Sequence, residues 1–118
     1  MDLAGKLQIK PDHRVAAVAV PSDGPHLPGS WRGTSDPAAA DAVIAFARCR
    51  ADLDGAAAVA IEAGRQDRLA WIAYPKAGQL GTDLNRDVLA AALTGHGLRP
   101  VRQIAIDAVW SALRLRPA

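Results

Sequence analysis

The chain has 118 residues, 50% of them hydrophobic, and a formal net charge of +2. This length and apolar content fit a single domain over residues 1–118 that folds without metals or disulfides. The single cysteine, Cys49, excludes an internal disulfide framework, and no apolar run approaches the roughly 20 residues needed to span a bilayer. Residues 1–10 lack the apolar core of a signal peptide, so we expect a cytoplasmic protein without membrane contact.

The net positive charge is too weak to indicate a nucleic-acid-binding protein, which usually has a concentrated basic face. One group of basic residues does lie near the end of the chain. It consists of Arg99, Arg102, Arg114 and Arg116. We interpret this group as the solvated face of a sheet and predict no nucleic-acid partner.

Three continuous apolar runs predict buried strands, at residues 14–20, 41–47 and 69–74. Because these runs are apolar at successive positions, both faces of each strand should be covered, which is typical of parallel sheets. Pro75 ends the third run, since proline cannot donate a hydrogen bond to a neighbouring strand. The sequence therefore predicts parallel strands between residues 14 and 75.

Two helices are predicted between and after these strands. Asp52 is the expected start of a helix that runs to about residue 63, and Thr82 or Asp83 is the expected start of a helix that runs to about residue 94. Strand-helix-strand units are almost always right-handed and join parallel strands. The predicted sheet is therefore doubly wound, with helices on both faces.

The end of the chain has a different pattern. Residues 101–106 and 111–116 are strand-like, and the segment between them is short enough for a hairpin. In the second run leucines alternate with arginines, which is typical of an antiparallel edge strand with one dry face. The predicted fold class is α/β, a Rossmann-like three-layer sandwich with a mainly parallel sheet and a C-terminal antiparallel hairpin.

Several segments resemble a small bacterial family of domains of unknown function. They are Trp-Ile-Ala-Tyr-Pro-Lys at 71–76, Thr-Asp-Leu-Asn-Arg-Asp at 82–87, Gly-Leu-Arg-Pro-Val at 97–101, Ile-Ala-Ile-Asp at 104–107 and Trp-Ser-Ala-Leu-Arg at 110–114. The resemblance covers nearly the whole chain. It implies a Rossmann-like domain with no assigned activity or substrate.

The order of predicted elements is also similar to the second half of class I methyltransferases. That resemblance implies an S-adenosylmethionine site at a glycine-rich turn after the first strand. Residues 18–24 hold one glycine, Gly24, so the cofactor signature is incomplete. We expect no bound cofactor and keep a degenerate methyltransferase as the alternative function.

A candidate ligand site lies where the predicted strands end, because open parallel sheets bind ligands beyond the carboxyl ends of their strands. One strand ends there, the helix that follows it begins there, and the hairpin turns at the same edge. Lys76 and the free N–H groups of the helix start are suited to a phosphate or carboxylate. The candidate ligand-binding residues are Tyr74, Lys76, Thr82, Asp83, Arg86, Asp87, Asp107 and Trp110.

Two interpretations of these residues are open. In one, they bind a small anionic ligand or a protein partner, although the aspartates would oppose an anion unless Lys76 and Arg86 neutralise them. In the other, Arg86 pairs with Asp107 or Asp83 while Trp110 packs beneath the loop, so that the group only stabilises the fold. A test of Arg86→Ala on stability and on binding separates the two.

No pattern in the sequence predicts catalysis or metal binding. The three histidines, His13, His26 and His96, are isolated from any partner at metal-ligand spacing, and Cys49 is interpreted as an ordinary thiol. The leading hypothesis is therefore a non-catalytic domain that acts by binding. Self-association as a homodimer through an uncovered sheet edge is a third alternative.

Overall fold

A computed structural model describes residues 3–25, 27 and 31–118. The strands in this part of the chain are β1 (Arg14–Val18), β2 (Arg32–Gly33), β3 (Ala42–Phe46), β4 (Leu69–Pro75), β5 (Leu98–Ala105) and β6 (Trp110–Pro117). The α-helices are α1 (Leu3–Lys6), α2 (Ala58–Arg65) and α3 (Arg86–Thr94), and 3₁₀ turns occupy Pro37–Ala39 and Arg50–Leu53. None of the helices in the described residues is long and apolar enough to cross a membrane.

All six strands form one sheet in the order β2-β1-β3-β4-β6-β5. The three apolar runs predicted as strands are confirmed as β1, β3 and β4, and these strands are parallel to their neighbours in that series. The predicted terminal hairpin is also confirmed, because β5 pairs antiparallel with β6. β4 lies inside the sheet, parallel to β3 and antiparallel to β6.

The prediction of a Rossmann-like three-layer sandwich with a mainly parallel sheet is wrong. Apart from the two-residue β2, the sheet has five strands, of which two pairs are parallel and two are antiparallel. The antiparallel ladders are the longer ones, with six and seven register pairs against four and five. The fold is a small α/β domain built on a mixed sheet.

The two longer helices lie on one face of the sheet, so the sheet is not doubly wound. Buried residues of α2 and α3 belong to one core cluster that also contains Ile72 and Leu113. The strands β1, β3 and β4 lie side by side in the sheet in the same order as in the chain. When successive right-handed crossovers all move in the same direction across a sheet, every connection lies on the same face. Helices on both faces would require the strand order to reverse. Side chains that follow α1, including Leu7 and Ile9, cover the opposite face.

β4 divides the core into these two layers. Ile72 and Tyr74 face the helices, while Trp71 and Ala73 face the segment that follows α1. Trp71 is fully buried, and its indole Nε1–H donates to the carbonyl oxygen of Leu7 at 3.0 Å. This bond holds the segment after α1 against β4, in the middle of the sheet.

Both longer helices begin later than predicted. Asp52 lies in a 3₁₀ turn that precedes α2, and Thr82 and Asp83 lie in the loop before α3. The N-cap of α3 is Asn85, whose side chain accepts a hydrogen bond from the backbone N–H of Val88 at 2.9 Å. Short polar side chains bond to the amides of loops as readily as to those of helices, so Asp52, Thr82 and Asp83 have the residue type of a cap without being one.

The edge strand of the hairpin is β5, whereas the alternation in residues 111–116 predicted β6 to be the edge. β5 contains Pro100, and its register with β6 shifts between Pro100 and Arg102. Proline and bulges in an edge strand disfavour pairing with another chain. The opposite edge is the two-residue β2. Both edges therefore offer little regular backbone to a second copy.

Candidate ligand-binding cavity

A cavity of about 550 Å³ lies between the start of α3 and the sheet where β4, β6 and β5 adjoin. It opens at the carboxyl end of β4, the edge at which the sequence predicted a site. The residues that line it are Tyr74, Lys76, Ala77, Asn85, Arg86, Asp87, Gln103, Ile104, Ala105 and Ser111. Four of the predicted residues, Tyr74, Lys76, Arg86 and Asp87, are among them.

The floor of the cavity carries two hydroxyl groups on neighbouring strands. Tyr74 and Ser111 lie opposite each other in the register of β4 and β6, so their side chains project to the same face. Ser111 is only 4% exposed, and within the described residues its hydroxyl has no hydrogen-bond partner. The Tyr74 oxygen accepts a bond from Gln103 Nε2 at 3.1 Å, which leaves its own O–H free to donate. Both hydroxyls are therefore donors available to a bound molecule.

The environment of Tyr74 favours the neutral phenol. Burial raises the pKa of Tyr74, and the positive charge of Arg86 partly offsets that rise. A neutral phenol can donate its proton to an acceptor, whereas a phenolate cannot. At neutral pH Tyr74 is consequently a donor beside a cationic side chain.

The first turn of α3 forms one wall of the cavity. The N–H groups of Arg86 and Asp87 precede the first intrahelical hydrogen bond, and the partial positive charge of the helix start lies there. The Arg86 side chain is 55% exposed, and its ion pair with Asp87 is long, 3.9 Å between Nη1 and Oδ1. The Asp87 side chain is 95% exposed. Its carboxylate is therefore hydrated and does not fill the cavity.

Two of the predicted site residues instead connect the loop before α3 to the segment after β3. The Thr82 hydroxyl donates to the carbonyl oxygen of Arg48 at 2.6 Å. Asp83 Oδ1 accepts from the backbone N–H of Arg50 at 2.8 Å. Neither Thr82 nor Asp83 lines the cavity. Their hydrogen bonds fix the loop from which α3 starts.

The other two predicted residues, Asp107 and Trp110, belong to the hairpin. Asp107 Oδ1 accepts from the backbone N–H groups of Val109 and Trp110, at 2.8 and 2.7 Å. The Trp110 ring is 1% exposed and packs edge-on against Phe46, with ring centroids 5.4 Å apart. Both residues therefore support the turn and the core rather than the cavity.

We expect Asp107→Ala to lower the free energy of unfolding by about 1–2 kcal/mol, because it removes the acceptor of two turn amides. Asp107→Asn keeps an oxygen at that position and should recover most of the loss. Urea unfolding followed by circular dichroism measures both variants. Equal losses in the two variants would show that the charge of Asp107, and not its hydrogen bonds, matters.

The placement of the aspartates changes the charge expected at the site. Asp83 and Asp107 accept hydrogen bonds from backbone amides and do not line the cavity, so neither carboxylate would contact an anion inside it. The charged residues of the lining are Lys76, Arg86 and Asp87, with a net charge of +1. Within the described residues Arg86 makes no ion pair with Asp83 or Asp107, which was the basis of the purely structural interpretation.

Sequence reasoning missed three polar residues of the lining, Asn85, Gln103 and Ser111. The sequence did hold an indication for Ser111. It alternates with Leu113 and Leu115 on the apolar face of its strand, where a polar residue is unusual. Gln103 carried no such signal, because the register shift near Pro100 decides which face it occupies.

No family profile, curated protein or solved structure matches this chain. The resemblance to a bacterial family of unknown function stays a prediction.

No group of three or more His, Cys, Asp or Glu side chains in residues 3–25, 27 and 31–118 is placed to hold a metal ion. His26, one of the histidines considered in the sequence, lies outside those residues.

Proposed function

We propose that this protein binds a small oxyanion, a carboxylate or a phosphate ester, in the cavity beside α3, and that it acts by binding and not by catalysis. The observation that carries the proposal is Ser111, a polar residue that is 4% exposed, lines the cavity and has no side-chain hydrogen bond within the described residues. The Ser111 oxygen is not among the fully buried side-chain atoms that lack a partner, so it is open to the cavity, where a bound oxyanion would replace water as its hydrogen-bond partner.

The other groups of the lining support an anion. Ser111 and Tyr74 supply O–H donors at the floor, the start of α3 supplies N–H donors at the wall, and Lys76 and Arg86 supply positive charge at the rim. A volume of about 550 Å³ lies in the range typical of small-molecule sites, which favours a small ligand over a protein partner. Ala77, Ile104 and Ala105 give the cavity an apolar portion that would contact the body of the ligand.

The test is a titration of ¹⁵N-labelled protein with inorganic phosphate and with acetate, followed by amide NMR. We expect the amide signals of Arg86, Asp87 and Ser111 to shift with saturation. Ser111→Ala and Arg86→Ala should each weaken binding by about tenfold, because each removes a charge-assisted hydrogen bond to the anion. Arg50→Ala is the matched control, since it removes an exposed arginine that does not line the cavity.

Stability separates this proposal from the purely structural interpretation of Arg86. Its only described ion pair is long and exposed, so Arg86→Ala should leave the melting temperature nearly unchanged. The protein has a single tyrosine, so absorbance near 295 nm reports the ionisation of Tyr74 alone. A bound anion should move that ionisation to higher pH, because it disfavours the phenolate. Shifts spread over the whole surface, or equal losses in Arg50→Ala, would contradict the site.

A further inference from the structure

Four arginines of the terminal hairpin share one face of the sheet. Arg99 lies opposite Arg116 in the register of β5 and β6, and Arg102 lies opposite Arg114. Residues directly opposite each other in an antiparallel pair project to the same side, and alternation along β6 places Arg114 and Arg116 on the side away from Ser111. The arginines and the ligand cavity therefore lie on opposite faces of the same hairpin.

A fifth cation and one carboxylate complete this surface. Lys6 Nζ lies 3.4 Å from the carbonyl oxygen of Ala105, at the end of β5. Asp67 accepts two hydrogen bonds from Arg116, at 2.9 and 3.1 Å, and is the carboxylate that the described ion pairs place here. We call the surface formed by Lys6, Arg99, Arg102, Arg114 and Arg116 the arginine face.

The charge of the protein is concentrated on the arginine face. It holds five cations, against a formal charge of +2 for the whole chain, and Asp67 is the carboxylate that the described ion pairs set against them. Such an asymmetry attracts polyanions in one orientation, an effect that the overall charge conceals.

This arrangement is unfavourable in the isolated protein. Like charges directly opposite each other in a sheet are destabilising. Burial lowers the pKa of the Arg114 guanidinium, and the charges of Arg116 and Arg102 lower it further. Arg114 Nη1 donates to Gln8 at 2.6 Å, but its buried Nε–H has no acceptor in the described residues. Arg99 and Arg102 are exposed and make no described ion pair, so they are free to bind anions.

The chemistry of the partner follows from charge density and from the positions of the aromatic residues. A nucleic-acid duplex carries one negative charge per about 1.7 Å of its axis. An extended acidic peptide presents a side chain to a given face only every 7 Å or so, or roughly twice the rise per residue. Single strands are usually bound by stacking on exposed aromatics. Trp71, Tyr74 and Trp110 are at most 2% exposed, and Trp31 packs beside β1, on the far side of the sheet from β5.

We propose that the arginine face binds the phosphodiester backbone of double-stranded nucleic acid without reading its base sequence. Guanidinium groups form paired hydrogen bonds with phosphate oxygens. The helix that the described residues place on this face is α1 (Leu3–Lys6), whose four residues are too few to enter a groove and read bases, so the contacts are to the backbone. The expectation of no nucleic-acid partner rested on the weak overall charge and on the interpretation of the four arginines as a solvated sheet face. The fold adds that they share one side of the sheet with Lys6.

The test measures fluorescence anisotropy of a labelled duplex DNA of mixed sequence, titrated with the protein from about 50 to about 200 mM salt. We expect dissociation constants of about 10⁻⁴ to 10⁻⁶ M that weaken steeply as salt rises. The double variant Arg99→Gln/Arg102→Gln should bind more weakly and reduce the slope of log affinity against log salt by about 2. Its melting temperature should stay the same or rise, because two like-charge pairs are relieved.

The matched control is Arg48→Gln/Arg50→Gln, which removes the same charge from an exposed segment elsewhere in the chain. It should leave most of the duplex binding intact, as should Ser111→Ala, whose site is on the other face. Three results would overturn the proposal: no binding at the lowest salt, equal losses in the control, or stronger competition by polyglutamate or anionic vesicles than by unlabelled duplex. None of these bears on anion binding in the cavity, so the two proposals fail independently.

Discussion

Trp71→Ala is expected to lower the free energy of unfolding by about 3–5 kcal/mol. Trp71 is fully buried at the centre of the sheet, and its removal leaves a large cavity between β4 and the segment after α1. It also deprives the Leu7 carbonyl oxygen of its indole donor. Small domains have total stabilities of about 5–15 kcal/mol, so the variant should be close to unfolding at room temperature. Urea unfolding followed by far-ultraviolet circular dichroism measures the loss.

A pair of conservative substitutions isolates the hydrogen bond from the packing. Trp71→Phe keeps an aromatic ring but loses the donor to Leu7, which we expect to cost at least about 1–3 kcal/mol. Trp31→Phe is the matched control, because the buried Nε1–H of Trp31 has no acceptor in the described residues. Removing that donor should cost little. Equal losses in the two variants would show that the bond to Leu7 does not stabilise the start of the chain.

Gly64→Leu should be the second most destabilising change, with a loss of about 2 kcal/mol or more. Gly64 is buried in α2, where a Cβ atom would lie 3.2 Å from Leu115 Cβ and 3.4 Å from Leu98 Cδ2. A leucine there would push α2 away from β5 and β6. The overpacking outweighs the gain in helix propensity, which is about 1 kcal/mol at most.

Gly55→Leu is the control for this prediction. A Cβ atom at Gly55 would meet only the carbonyl oxygen of Asp52, at 3.9 Å, and the residue is exposed. We expect a change within about 0.5 kcal/mol. Thermal unfolding of both variants gives the comparison. A similar loss at the two positions would mean that the close approach of α2 to the sheet does not limit the size of the side chain at 64.

The candidate site was only partly predictable from the sequence. Tyr74, Lys76, Arg86 and Asp87 line the cavity because they sit where β4 ends and α3 begins, two positions that periodicity and loop composition located. Thr82, Asp83 and Asp107 are short polar residues whose hydrogen-bond partners are backbone amides, and local sequence does not say which amides those are. Trp110 was placed near the loop, and packing put it in the core.

By itself the sequence determined which segments are strands, where the terminal hairpin lies and that the domain can bury a core, because each of these depends on local periodicity and composition. Only the tertiary structure decided the direction in which the sheet grows, and with it the fact that α2 and α3 share one face. It also decided the register of β4 with β6, which places Ser111 beside Tyr74 in one cavity, and the register of β5 with β6, which pairs the four arginines on the other side. Register and crossover direction are set by contacts between residues distant in the chain, so no pattern within a single segment encodes them.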